Sequence, residues 1–119
     1  MDVLMHGLVA KRGRWTASYK EQYFVLCKDG WLIMFDRAED RDIPSKAREA
    51  IEVGSQDALL DVEAETGAEG SLSIVLTVRS RKGQQTLQFR VSTLKQQQRW
   101  IRAFHSLANR DKLRIKRIL

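Results

Sequence analysis

Proline, cysteine and long apolar runs are scarce in this sequence of 119 residues. Its single cysteine, Cys27, cannot form an intramolecular disulfide, which favours a reducing compartment. No apolar run exceeds five residues, as in Trp31 to Phe35, whereas a membrane-spanning helix needs ~18. The first residues have neither a basic lead nor a long apolar segment, so they predict no secretory signal. We therefore expect no transmembrane segment and a cytoplasmic location.

Side chains suited to catalysis or metal binding are also scarce. His6 and His105 are the only histidines, and with Cys27 they have no metal-ligand spacing. Cys27 falls on a predicted strand and His105 on a distant predicted helix, with no acid to orient a nucleophile and its base. The glycines lack the spacing of a nucleotide phosphate loop. These absences predict no enzyme activity, no cofactor and no metal.

Charge is abundant and unevenly distributed. Residues 36–69 hold 11 of the 15 acidic side chains and 4 of the 21 basic ones, a net charge of −7. The rest of the chain holds 17 basic and 4 acidic side chains, or +13. This asymmetry favours a basic surface that meets phosphates, anionic lipid or an acidic partner, although simple solvation of the charges remains the alternative.

Alternating apolar residues and turn signals predict seven strands between about residues 3 and 91. Asp29-Gly30 marks a tight hairpin. The charged stretch 36–48 contains the only proline and predicts a long loop with a short helical turn. The predicted strands are Met5–Lys11, Tyr19–Cys27, Trp31–Phe35, Ala50–Val53, Ala58–Glu63, Leu72–Val78 and Leu87–Val91.

The hydrophobic period changes to about 3.6 after Thr93, which predicts a closing helix over about residues 93–109. Thr93, or Ser92 before it, suits the N-cap, and Asn109 suits the C-terminal stop. The basic tail 110–119 has three interpretations: a helix extension, a membrane-surface segment, or a connection to another domain. The apolar face of the helix comprises Trp100, Phe104, Leu107 and Ala108.

Three stretches of the chain resemble the pleckstrin-homology (PH) domain family. They are Gly7 to Gly13, Tyr19 to Leu26, and the helix segment Gln98 to Phe104 with its Trp100. The resemblance covers nearly the whole chain and implies one PH-like domain over residues 1–119. Its expected fold is mainly β with one C-terminal α-helix: a seven-stranded bent antiparallel barrel, formed by two near-orthogonal sheets and capped by the helix. Trp100 is then the structural plug of the barrel.

The resemblance also implies a ligand site. In lipid-binding members, a lysine at the end of the first strand and two basic residues on the second bind inositol phosphates. Lys11 and Lys20 match two of these positions, but Gln22 stands where the family has an arginine. A neutral amide there weakens phosphate recognition, and nearby loop arginines are candidates to compensate. The expected binding residues are Lys11, Arg12, Arg14, Lys20, Gln22 and, more weakly, Arg37 and Lys46.

Trp15 lies inside the same basic loop and has two interpretations. Its ring either enters the lipid interface or packs back across the loop.

The combined expectation is a non-catalytic signalling adaptor that recruits its parent protein to anionic membrane surfaces through phosphoinositide headgroups. The alternative is a protein–protein interaction scaffold with weak or no lipid binding, which the glutamine at position 22 favours. We do not expect nucleic acid as a partner, because the strands lack interleaved aromatic and basic residues.

Overall fold

The computed structural model describes residues 2–13, 15–54, 58–80 and 83–118, with Leu60 and residues 108–118 described by their backbone alone. Within these ranges seven strands precede one helix, as the sequence predicts. Two short 3₁₀ helices, Ala38–Asp42 and Pro44–Lys46, occupy the predicted charged loop. The strands and helix are β1 Val3–Arg12, β2 Tyr19–Cys27, β3 Trp31–Phe35, β4 Ala47–Glu52, β5 Leu59–Thr66, β6 Leu72–Ser80, β7 Gly83–Val91 and α1 Leu94–Ile118.

All seven strands belong to one antiparallel sheet in the order β4-β3-β2-β1-β7-β6-β5. β1 pairs with β2 from Val3 to Arg12, whereas it pairs with β7 only at Ala10 and Lys11. The sheet therefore consists of two groups, β1–β4 and β5–β7, joined near the end of β1. This junction lies beside the β1–β2 loop, residues 13–18, where the binding site is predicted.

The main core lies between the strands and α1, and Trp100 occupies its centre. The Trp100 side chain is 1% exposed, so the residue is buried as the sequence leads us to expect. Its ring meets Phe24 of β2 and Phe89 of β7 edge-on, with centroids 6.4 and 5.6 Å away, and stacks on Phe104 at 5.9 Å. These aromatic contacts join α1 to both groups of strands.

A second, smaller apolar cluster lies on the opposite face of β2 and β3. Tyr23, Val25, Cys27 and Phe35 are buried there, with Ala38 of the first 3₁₀ helix packed against them. Burial raises the pKa of the Cys27 thiol, and the nearby Asp29 adds to this effect. Cys27 is therefore a protonated packing residue, and His105 is exposed on the distant helix.

The start of α1 agrees with the sequence prediction, whereas its end does not. Thr93 is the N-cap, because its Oγ1 accepts a hydrogen bond from the Gln96 backbone N–H at 3.1 Å. The Gln96 side chain accepts one in return from the Ser92 N–H at 3.1 Å. The predicted stop at Asn109 is wrong, because the helix continues to Ile118. Residues 110–118 contain no glycine or proline to end it, and lysine, arginine and leucine favour helix.

Candidate functional site

The β1–β2 loop is braced by its own hydrogen bonds. The Gly13 N–H donates to the Ser18 carbonyl at 2.8 Å, and the hydroxyls of Thr16 and Ser18 lie 2.6 Å apart. A Cβ on Gly13 would lie 2.6 Å from Thr16 Oγ1, so a larger residue there would displace the Thr16 hydroxyl. Trp15 is 91% exposed, so its ring does not pack back across the loop. The predicted ligand Arg14 lies outside the described residues.

Lys11 and Lys20 both lie at the base of this loop. They are directly opposite in the β1–β2 register. Side chains two residues apart on a strand share a face, so Lys11 shares a face with the buried Val9, and Lys20 with Gln22. The two lysines therefore lie on the core-facing side of the sheet, near the end of β1 and the start of β2.

Lys11 forms an ion pair with a carboxylate of β4. Its Nζ lies 2.7 Å from Glu49 Oε2, with the two side chains 23% and 32% exposed. Partial burial strengthens an ion pair relative to one in open water. Glu49 lies opposite the buried Met34 in the β3–β4 register, so its side chain lies on the core-facing side of the sheet, as that of Lys11 does.

Lys20 is paired with Asp36, which follows β3. Lys20 Nζ lies 3.4 Å from Asp36 Oδ1, and Arg48 Nε lies 3.1 Å from Asp36 Oδ2. Partial desolvation acts to raise the pKa of Asp36, but a hydrogen bond from Gln22 and the charges of Arg48 and Lys20 together lower it. Asp36 therefore stays ionised at neutral pH.

Gln22 lies beneath this ion pair and is 8% exposed. Its side chain hydrogen-bonds to Asp36, while its Oε1 has no partner among the described residues. We name the set of ion-paired groups and this amide the charged cluster. It consists of Lys11, Lys20, Gln22, Asp36, Arg48 and Glu49.

The remaining predicted cations do not join the charged cluster. Arg12 lies one residue beyond Lys11 and therefore on the other face of β1, where its Nη1 donates to Gln88 Oε1 at 3.2 Å. Arg37 is exposed and has no ion pair within the described part of the chain. Lys46 pairs with Asp40 at 3.5 Å.

A cleft of about 390 Å³ opens beside the charged cluster, between β1, β4 and β7. It carries the Lys11–Glu49 pair and Arg12, and the rest of its wall combines two amides and a hydroxyl with three apolar side chains. Such a cleft can hold an anionic group if Lys11 is released from Glu49. The lining residues are Lys11, Arg12, Gly13, Glu49, Ile51, Val78, Gln85, Thr86, Leu87 and Gln88.

A second charged feature lies on the edge strand β5. Asp61, Glu63 and Glu65 alternate along one face of the strand, opposite Thr77, Val75 and Ser73 of β6. We name these three carboxylates the acidic row. A hydrogen bond with Asp61 and its negative charge raise the pKa of Glu63, and Glu65 adds to the effect. No cation pairs with the acidic row in the ranges that the structure describes.

Sequence reasoning missed Asp36, Arg48 and Glu49 as members of the site. The available signal was the strand order: an acid directly after β3 and charged residues in β4 lie near β2 when consecutive strands form hairpins. Their register was not readable, because a bulge lies between Met34 and Phe35 and the 3₁₀ helices set where β4 begins.

Two features are absent from the described ranges. No group of three or more histidine, cysteine or acidic side chains has an arrangement that would hold a metal ion. No helix combines the length and apolar character needed to cross a membrane.

A family model described as PH domain matches residues 3–109 of this chain. The comparison with curated protein sequences found no match. Similar solved structures include the Slm1-PH domain in complex with D-myo-inositol-4-phosphate, at a TM-score of 0.70 and 16% identity, covering 91% of this chain and 97% of that one.

Pleckstrin supplies two further similar structures. Its carboxyl-terminal PH domain has a TM-score of 0.63 and 17% identity, covering 91% of this chain and 99% of that chain. The same domain in complex with D-myo-Ins(1,2,3,5,6)P5 has a TM-score of 0.66 and 20% identity, covering 89% and 95% of the two chains. At these identities the likeness establishes the fold.

Proposed function

Because this chain belongs to the PH domain family, we propose that it is a docking module that brings its parent protein to anionic membrane surfaces. The membrane would be met from its cytoplasmic side, by the end of the sheet that carries the β1–β2 loop. Similar domains of Slm1 and pleckstrin have been solved with inositol phosphates, which supports a phosphate-bearing headgroup as the ligand class.

The observation that carries this proposal is the position of Trp15. A tryptophan side chain that is 91% exposed is unusual on a soluble domain, and large exposed apolar groups commonly mark contact surfaces. The amphipathic indole ring is favoured at the membrane interface. Trp15 lies in the loop that directly follows Lys11 and Arg12 and precedes Lys20, so one approach brings the ring and the cations to the same surface.

Stable binding to a membrane requires both the cations and the Trp15 ring. A basic residue near an anionic membrane contributes about 1 kcal/mol, and Lys11 and Lys20 contribute less while they are paired with carboxylates. Lys11, Arg12 and Lys20 together therefore reach only about millimolar affinity at best. Insertion of Trp15 would supply the additional apolar contact, and a specific headgroup would supply the rest.

Tryptophan substitutions at the two ends of the sheet test the proposal. Trp15→Ala should weaken binding to vesicles of phosphatidylcholine with phosphatidylserine and phosphoinositide by about tenfold, as loss of an aromatic anchor does. Trp31→Ala is the matched control. Trp31 is 41% exposed and begins β3, beyond the hairpin at the other end of β2, so its loss should leave vesicle binding unchanged. Co-sedimentation measures both affinities.

A protein-interaction scaffold is the second candidate function. The observation that favours it is the pairing of Lys11 and Lys20 with carboxylates, while the three carboxylates of the acidic row have no counter-ion in the described ranges. Under this alternative Trp15→Ala and Trp31→Ala would have equal, small effects on vesicle binding. The same result would refute membrane docking through the β1–β2 loop.

A further inference from the structure

We propose that Asp36 and Glu49 are internal anions that occupy the phosphate-binding cations of the charged cluster and thereby restrict it to multiply phosphorylated inositol headgroups. This inference rests on the proposed function, because it names the ligand class of the same site. It also assigns a specificity-determining role to two acidic side chains that lie outside the family's basic motif.

Asp36 is surrounded as a bound anion would be. One carboxylate oxygen faces Lys20 Nζ at 3.4 Å, and the other faces Arg48 Nε at 3.1 Å. The Gln22 side chain adds a hydrogen bond from below. Two cations and a neutral amide around one oxyanion form a donor set that a phosphate group would also use. Asp36 therefore holds the position of the anion at this part of the cluster.

Glu49 likewise holds the position of a bound anion at Lys11. Their 2.7 Å contact is partly buried, so an incoming phosphate must replace the carboxylate to use the Lys11 charge. The three cations and two carboxylates of the cluster leave a net charge of +1. An empty cluster of the same cations would have +3.

The two ion pairs set a threshold for the number of phosphate groups that a ligand must carry. A phosphatidylserine headgroup or a single phosphate can replace one internal anion but not both. The ion pair that it forms therefore does little more than offset the ion pair that it breaks. Several phosphates on one inositol ring can replace both carboxylates in one binding event. Because the pKa of Asp36 lies below its ordinary value, mild acid does not remove the Asp36 charge.

Isothermal titration with soluble inositol hexakisphosphate tests the inference without a membrane. Asp36→Asn and Glu49→Gln should each raise the affinity about tenfold or more over the natural chain, the range expected for one released charge-assisted contact. The matched controls Asp61→Asn and Glu65→Gln remove the same charge from the acidic row, and they should change affinity less than twofold. Thermal unfolding of each variant verifies that it remains folded.

A second variant identifies the cation that is released. Lys11→Met should remove most of the gain produced by Glu49→Gln when the two changes are combined, because the gain acts through Lys11. A gain that persists without Lys11 would overturn the assignment of Glu49.

Unchanged or lower affinity in Asp36→Asn and Glu49→Gln would overturn the inference, because the carboxylates would then position the cations for the ligand. An equal gain in the acidic-row controls would also overturn it, since bulk charge would be sufficient. Failure of all the proteins to bind the probe is a third contrary result. Co-sedimentation of the natural chain with anionic vesicles tests the proposed function separately, so the two can fail independently.

Discussion

At the scale of single residues, Gln22 has the least favourable environment in the charged cluster. It is 8% exposed, and its Oε1 has no hydrogen-bond partner among the described residues. A buried acceptor without a partner costs about 1–3 kcal/mol. The contact with Asp36 holds the amide in this position. Position 22 is therefore coupled to Asp36 before any ligand arrives.

This coupling gives a prediction for the arginine that the family pattern has at position 22. In the natural background, Gln22→Arg should raise inositol hexakisphosphate affinity less than threefold, because the new guanidinium would pair with Asp36. In the Asp36→Asn background the same change should add about tenfold. Titration of the single and double variants measures the difference. A full tenfold gain from Gln22→Arg alone would contradict the account of Asp36.

At the scale of elements, Gln97 fastens the first turn of α1 to the sheet. Its side chain is 4% exposed, and Nε2 donates to the backbone carbonyls of Glu65 at 3.2 Å and Ser73 at 2.8 Å. These bonds join the helix to the end of β5 and the start of β6. They complement the aromatic contacts of Trp100, which lies about one turn further along.

Loss of this amide should destabilise the domain. Gln97→Leu leaves the buried Ser73 carbonyl and the part-buried Glu65 carbonyl without this donor and should lower the free energy of unfolding by about 1–3 kcal/mol. Gln98→Leu is the matched control: Gln98 is exposed, so its replacement should change stability by less than about 0.5 kcal/mol. Urea denaturation followed by circular dichroism measures both. Equal effects at the two positions would refute the role of Gln97.

The elements were largely predictable because their signals are local. Alternating apolar residues, the Asp29-Gly30 turn and the period of α1 placed seven strands and the helix, and Gly30 has the expected positive φ of 97°. The role of Gln97 was not predictable from the sequence, because its acceptors are carbonyls of strands 24 and 32 residues away in sequence. No local pattern reports such partners.

The candidate site was predictable only in part. The family resemblance placed Lys11, Lys20 and Gln22 on adjacent strands, and the β1–β2 register has them on one face. The acidic partners Asp36 and Glu49 depend on the path of the chain between β3 and β4. That path is set by tertiary packing on the second apolar cluster, which sequence periodicity does not report.

At the scale of the whole molecule, the acid-rich segment divides between two surfaces. Residues 36–69 carry a net charge of −7 and suggest one acidic face opposite one basic face. Instead, Asp36 and Glu49 neutralise cations of the charged cluster, while Asp61, Glu63 and Glu65 form a row on β5. Total charge therefore overstates the attraction of the domain for anionic surfaces, and the proposed docking relies on an apolar contact at Trp15.

The most direct test of membrane docking is the fluorescence of Trp15 itself. In a Trp31→Phe variant the remaining tryptophans are Trp15 and Trp100, and Trp100 is shielded at 1% exposure. On adding vesicles that contain phosphatidylserine and phosphoinositide, the account predicts a blue shift of the exposed-tryptophan emission and quenching by brominated lipid. Neutral phosphatidylcholine vesicles should produce neither. Unshifted, unquenched emission while the protein co-sediments with anionic vesicles would contradict the account.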